Sequence, residues 1–249
     1  MAKQKSFLKV AGTLDGLTFY KSVDGYMVRT KGGVSKARIM NDAAFVRTRE
    51  NIAEFGSTAN SVKLLRTSVG TLLNRAKDSR MSSRLMGVMS KVRLLDGVSV
   101  RGQRNVGQGL LTGPGKQLLK GFDFNNRAAF QTVLNAPYSL DNATGVFTIP
   151  DFVPLEQLEK PNGATHVSLK CAYINVDFIA GVYDTQYSPS ETLAIDSNVN
   201  TLSLTPTSVP GGSGIKLYMI LIEFSQEVNG IHYPLRNGEF NVLHLLDVV

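Results

Sequence analysis

The spacing of apolar residues changes twice along this 249-residue chain, and that change limits the folds open to it. Over the first thirty residues Phe7, Leu8, Val10, Leu14, Leu17, Phe19, Tyr26 and Val28 fall in short runs broken by Asp15-Gly16 and Asp24-Gly25. Asp-Gly tolerates the positive φ of tight turns, so this stretch reads as a short β-meander ending at Gly32-Gly33. The period then becomes helical. Phe45, Ile52, Phe55, Ala59, Val62, Leu65, Val69, Leu72 and Ala76 recur at steps of three, four and seven, which puts one stripe on a helix. Asn41 or Asp42 can cap its start and Gly56 or Gly70 can interrupt it, so one long kinked helix or two shorter ones are expected over about 42–77. A second stripe follows at Met81, Leu85, Val88 or Met89, Val92 and Leu95, and stops at Asp96-Gly97.

Residues 101–115 hold five glycines, a proline and two arginines without a helical stripe, and read as a loop or inter-domain connection. After Gly121 the texture turns to β. Strands are expected at 146–149, 166–176, 178–182, 192–195, 201–204, 216–228 and 239–248, with hairpin turns at Asn229-Gly230 and Asn237-Gly238. In 216–228, Leu217, Met219 and Leu221 alternate with Tyr218, Ile220, Ile222 and Phe224, so both faces are apolar and a central strand covered on two sides is expected. The fold class is therefore α+β. Its expected domains are a basic β-meander with a helical hairpin (1–100), a Gly-rich connection (101–120) and an acidic antiparallel β-sandwich resembling immunoglobulin-like modules (121–249).

Composition removes several function classes. With Cys171 as the only cysteine, neither an intramolecular disulfide nor a zinc site of several thiolates is possible. The opening lacks the apolar stretch of a secretory signal, and no run approaches the roughly 20 apolar residues of a membrane span. A cytoplasmic location, or one inside an assembled particle, is expected.

Catalytic motifs are scarce. Gly113-Pro114-Gly115-Lys116-Gln117 falls short of a phosphate loop, because Leu110 stands where a glycine is required and Gln117 replaces the magnesium-binding hydroxyl. Gly211-Gly212-Ser213-Gly214 does not match a nucleophile elbow and lies between strands. A zinc site of His166, His232 and His244 is geometrically open across strands, but unspaced histidines in a sandwich are more often packing or surface residues. Cys171 reads as a small buried hydrophobe. Asp196, Asn198 and Asn200 begin like a calcium loop, yet Thr201 replaces the turn glycine, and an Asx-rich turn fits better. No catalytic residue, metal or cofactor is assigned.

Charge carries more information. Residues 1–120 hold 22 Lys and Arg against 7 Asp and Glu, whereas residues 121–249 hold 5 against 13. Arg47, Arg49, Lys63, Arg66, Arg75, Lys77, Arg80, Arg84, Lys91 and Arg93 lie mainly off the apolar stripes, and Arg101 and Arg104 extend the series. These twelve are the candidate polyanion- or partner-binding residues. Phosphate backbones would neutralise them by counterion release, and so would an acidic protein surface.

At Gly32-Gly33-Val34-Ser35-Lys36 through Arg47-Thr48-Arg49-Glu50-Asn51-Ile52-Ala53-Glu54-Phe55-Gly56, the chain resembles a bacterial family of similar length that has no established activity. Glu223-Phe224-Ser225-Gln226-Glu227-Val228-Asn229-Gly230 and Tyr233-Pro234-Leu235-Arg236-Asn237-Gly238 carry the same likeness. It spans most of the chain and implies no catalytic residue and no cofactor. Gly12-Thr13-Leu14-Asp15-Gly16-Leu17-Thr18-Phe19-Tyr20 resembles the small β units of phage head, connector and tail proteins. The expected function is thus a non-enzymatic structural protein that assembles with itself or with other structural proteins, in a phage-like particle or filament, through its basic and acidic halves. The alternative is an accessory protein that binds DNA or RNA by phosphate contacts without reading sequence.

Overall fold

A computed structural model describes residues 2–30, 32–235 and 240–249. The chain divides into two compact units, residues 1–49 and residues 50–249.

The first unit is a four-stranded antiparallel sheet and a short helix. Strands β1 (Ala2–Lys3), β2 (Gly12–Leu14), β3 (Leu17–Ser22) and β4 (Gly25–Thr30) pair in the order β1-β4-β3-β2. Asp15 and Gly16 both take positive φ, 41° and 82°, and close the two-residue hairpin between β2 and β3. In the next hairpin Ser22 pairs with Gly25, so Val23 and Asp24 form the turn and Gly25, at φ 106°, takes the left-handed position after it. Helix α1 (Lys36–Asn41) is capped by Ser35, whose hydroxyl accepts from the Arg38 amide at 3.3 Å.

The second unit has three layers. Its helices are α2 (Val46–Val69, of which the first residues belong to the other unit), α3 (Met81–Leu94), α4 (Val106–Leu110), α5 (Gly113–Leu119), α6 (Phe130–Val133) and α7 (Pro154–Gln157). Its strands are β5 (Ser139–Leu140), β6 (Phe147–Phe152), β7 (His166–Asp177), β8 (Val182–Tyr187), β9 (Glu191–Ala194), β10 (Asn200–Leu204), β11 (Ile215–Val228), β12 (Ile231–Pro234) and β13 (Val242–Val248).

Two long strands, β7 and β11, pair antiparallel from Ile215–Val176 to Ser225–His166 and form the middle of a six-stranded sheet. The outer edge of β7 is shared by β8 and β9, and that of β11 by β13 and β12. The apolar faces of 216–228 are both buried, as a central strand requires. Leu217, Met219 and Leu221 meet Leu65, Val69, Leu72, Leu85, Met89 and Val92 of the helices. On the other face Tyr218, Ile220, Ile222 and Phe224 meet Phe147, Ile149, Phe152, Leu202 and Leu204 of a three-stranded sheet in the order β10-β6-β5.

The α+β class and the antiparallel sheets agree with the sequence reading. Of an immunoglobulin-like sandwich, two features are present, antiparallel strands and two sheets face to face. The remaining face of the larger sheet is covered by helices rather than by water. The expected boundary at 101–120 is corrected by the same contact, because the helices and the sheet share one core and the division falls at residue 49 instead. Nor is the Gly-rich stretch a loose connection. Val106, Leu110 and Leu119 are fully buried, and α4 and α5 pack on α3. Glycine is needed there because a Cβ on Gly109 would lie 2.1 Å from the Val92 carbonyl oxygen, and one on Gly115 would lie 2.0 Å from that of Gly109. Of the strand expected at 178–182, residues 178–181 form the turn between β7 and β8, and Val182 opens β8. The turn expected at Asn237-Gly238, and Glu239, lie outside the described residues.

Candidate functional site

Of the twelve candidate cations, Arg75, Arg84, Arg93, Arg101 and Arg104 form ion pairs with carboxylates of the same chain among the described residues. Glu54 on α2 is buried and accepts from Arg104 Nε at 2.8 Å and from the Gly102 amide at 2.8 Å, with Arg93 Nε 3.5 Å away. Burial pushes the Glu54 carboxyl up, but these donors outweigh it and hold it below the usual carboxylate range. Arg84 binds Asp78 and donates to the Asp123 carbonyl at 2.8 Å. Asp78 behaves as Glu54 does: burial raises it, and the Asn126 amide and Arg84 more than reverse that. Arg101 pairs with Glu50 at 3.1 Å, and Arg75 reaches across to Glu223 at 3.2 Å.

The others differ in their surroundings. Arg49 donates to the carbonyls of Ile39 and Asp42, at 2.8 and 2.9 Å, and ties α1 to the start of α2. Lys77 donates to the Asn74 side chain at 2.9 Å, and Arg47 is also engaged. Among the described residues Lys63, Arg66, Arg80 and Lys91 have no carboxylate partner and are exposed. Lys63 and Arg66 lie one helical turn apart on α2, beside Ser82, Ser83 and Met86, and line a hollow of about 420 Å³.

The histidines separate into two places. His244 is buried, bonded through Nδ1 to Asp123 at 2.7 Å and stacked on Phe130. His166 and His232 meet instead at Glu227, on the end of the large sheet. Cys171 is buried, and burial raises its thiol above the ordinary range, so it is a core residue. Asp196 accepts from the Asn198 amide at 3.0 Å, the Asx turn expected there.

The feature that sequence reasoning did not isolate lies in the first unit. Directly opposed residues share a face of a sheet, and the register therefore collects Leu14, Leu17, Phe19, Tyr26 and Val28 on one side of the meander, together with Lys21 opposite Tyr26 and Thr30 opposite Leu17. The other side carries Thr13, Thr18, Tyr20, Met27 and Arg29. Among the described residues of 1–49 none is buried; on this face Leu14 is 67% and Leu17 40% exposed, and Phe19, Tyr26 and Val28 are half-buried. A four-stranded sheet holds together in water when one face is covered, and this one has no covering layer of its own. Residues 1–49 also hold ten Lys and Arg against three Asp, while residues 50–249 hold seventeen of each sign, so the whole formal charge of +7 resides in the first unit. The alternation was readable in the sequence; the lack of a partner layer was not.

No family model, curated protein or solved structure matches the chain. Among the described residues no helix is long and apolar enough to cross a membrane.

Proposed function

We propose that this chain is a structural protein that self-assembles, the basic sheet of residues 1–49 being covered by a second copy. The observation that supports this is the apolar face Leu14, Leu17, Phe19, Tyr26 and Val28, which has no buried member. Burying it in a partner supplies the apolar area that the unit lacks by itself.

Charge favours the same chain as partner. Asp151, Glu156 and Glu159 are exposed around α7, next to the exposed Leu155, and none forms an ion pair among the described residues. A unit of net charge +7 meeting an acidic, partly apolar surface on the next copy is a head-to-tail contact. Such contacts close into rings or continue as filaments. This agrees with the resemblance of residues 12–20 to β units of phage head, connector and tail proteins, and it assigns no catalysis. The immunoglobulin-like comparison is kept only for the face-to-face sheets of the second unit.

The test is light scattering of the full chain at high concentration in low and in high salt, beside the double variant Leu14→Asp, Leu17→Asp. The two residues face each other across the β2–β3 hairpin, so circular dichroism of the variant is compared with that of the wild-type chain before its scattering is read. An oligomer that the variant loses supports the reading, and a wild-type monomer under both conditions ends it.

A second reading rests on Lys63, Arg66, Arg80 and Lys91, whose charges no carboxylate of the described residues answers. In it these residues hold phosphates of DNA or RNA without sequence preference.

A further inference from the structure

Three neighbouring strands bring His166, Glu227 and His232 to one point, and we propose that this is a binding site for a divalent transition metal of the zinc class. The site does not depend on the assembly reading. His232 lies on β12 directly opposite Glu227 on β11, and His166, the first residue of β7, lies opposite Ser225. Ser225 and Glu227 are two apart, so all three side chains leave the same face of the sheet.

The hairpin geometry tightens the group. Asn229 and Gly230 take positive φ, 52° and 78°, in a two-residue turn flanked by the pair Val228 and Ile231. Hydrogen-bonded and non-hydrogen-bonded pairs alternate from such a turn, which makes Glu227 and His232 a non-hydrogen-bonded pair, the kind whose side chains come closest. Consistent with this, the Glu227 amide turns away from β12 and donates to Thr165 Oγ1 at 2.7 Å.

The donor atoms all lie within 4.8 Å of one another. His166 Nε2 is 3.4 Å from Glu227 Oε2, and the two imidazole rings meet edge to face with centroids 4.5 Å apart. Ligands about 2.0–2.2 Å from a common tetrahedral centre are separated by a little over 3 Å, so small side-chain rotations of the exposed His232 and Glu227 complete the set. Among the described residues Glu227 has no lysine or arginine partner; its one ion pair is with His166.

An outer contact is already in place. Thr165 Oγ1 lies 2.9 Å from His166 Nδ1. When Nε2 holds a metal, the ring proton resides on Nδ1, and the threonine oxygen can accept it and fix the ring orientation. Two imidazoles and one carboxylate are a set that suits zinc and related ions and leaves a coordination position open. Since His232 and Glu227 are exposed, that position faces water.

The site is tested by isothermal titration of the full chain with zinc chloride alone, repeated with cobalt chloride while the visible absorption is followed. One equivalent is expected to bind, with the intense absorption of four-coordinate cobalt. His166→Ala and His232→Ala should each abolish the binding, and Thr165→Val should weaken it by about tenfold. His244→Gln, which removes the histidine outside the cluster, should leave it intact. Circular dichroism of His232→Ala confirms the fold, since the residue is exposed. No saturable binding by the wild-type chain, or unchanged binding in His232→Ala, overturns the proposal.

Discussion

Gly109 lies so close to the main chain of Val92 that a Cβ at residue 109 would be 2.1 Å from the Val92 carbonyl oxygen. Helix α4 therefore sits on α3 at backbone contact, and Gly107, Gly109 and Gly115 are packing residues. A side chain that cannot fit forces backbone shifts throughout the shared core.

Gly109→Ala should accordingly destabilise the second unit by about 2–3 kcal/mol in urea denaturation. Gly87, in the middle of α3, provides the contrast, because a Cβ there meets nothing within 4 Å. Gly87→Ala should stabilise by about 0.5–1 kcal/mol, the gain in helix propensity. Equal effects at the two positions would mean that α4 does not pack as described.

Glu54→Gln should cost about 3 kcal/mol, because Arg93 and Arg104 would be left partly buried without their carboxylate. The acid dependence follows from the direction of the shift. The folded-state carboxyl lies below its unfolded value, so its contribution is complete above the ordinary glutamate range and is lost as pH falls through the folded value. Denaturation measured from about pH 7 down to pH 3 should show a shallower acid loss in the variant than in the wild-type chain.

Reversing the unpaired cations should behave differently from reversing the paired ones. Lys63→Glu with Arg66→Glu leaves every ion pair intact and should change stability by no more than about 0.5 kcal/mol. Arg84→Glu and Arg93→Glu place like charges against Asp78 and Glu54 and should each unfold a measurable fraction at room temperature. Fluorescence anisotropy with labelled DNA and RNA at about 50 mM salt then tests phosphate binding on the stable Lys63, Arg66 variant. Binding that the variant loses favours the nucleic-acid reading, and no binding by the wild-type chain removes it.

Cys171 should react with a thiol reagent only as the second unit opens. Its sulfur is buried, and burial disfavours the thiolate. Ellman's reagent should give a labelling rate that follows the urea transition; rapid labelling of the native chain would contradict the core placement.

Much of the fold was legible where one face of an element is purely apolar. The stripe of α3 emerged as Met81, Leu85, Met89 and Val92, and the central strand 216–228 as β11. The first half of α2 misled for a physical reason. Ile52 and Phe55 are 54% and 60% exposed, and the helix buries Glu54, Thr58 and Ser61 instead, with Glu54 held by the guanidiniums of Arg93 and Arg104. The buried face continues through Leu65 and Ser68 at steps of three and four, a period hidden because Glu54, Thr58, Ser61 and Ser68 are polar. Residues 101–115 misled because glycine marks both loose chain and close packing, and only the neighbouring backbone distinguishes them. The charge excess at 1–120 was read correctly as a total, but not which cations their own chain had already matched.

The central claim is that a second copy covers the Leu14, Leu17, Phe19, Tyr26 and Val28 face, and amide hydrogen exchange over β3 and β4 measured against protein concentration tests it most directly. Protection should rise with concentration in the wild-type chain and stay low in Leu14→Asp, Leu17→Asp. Exchange in these strands that is the same at every concentration, fast or slow, would contradict the account.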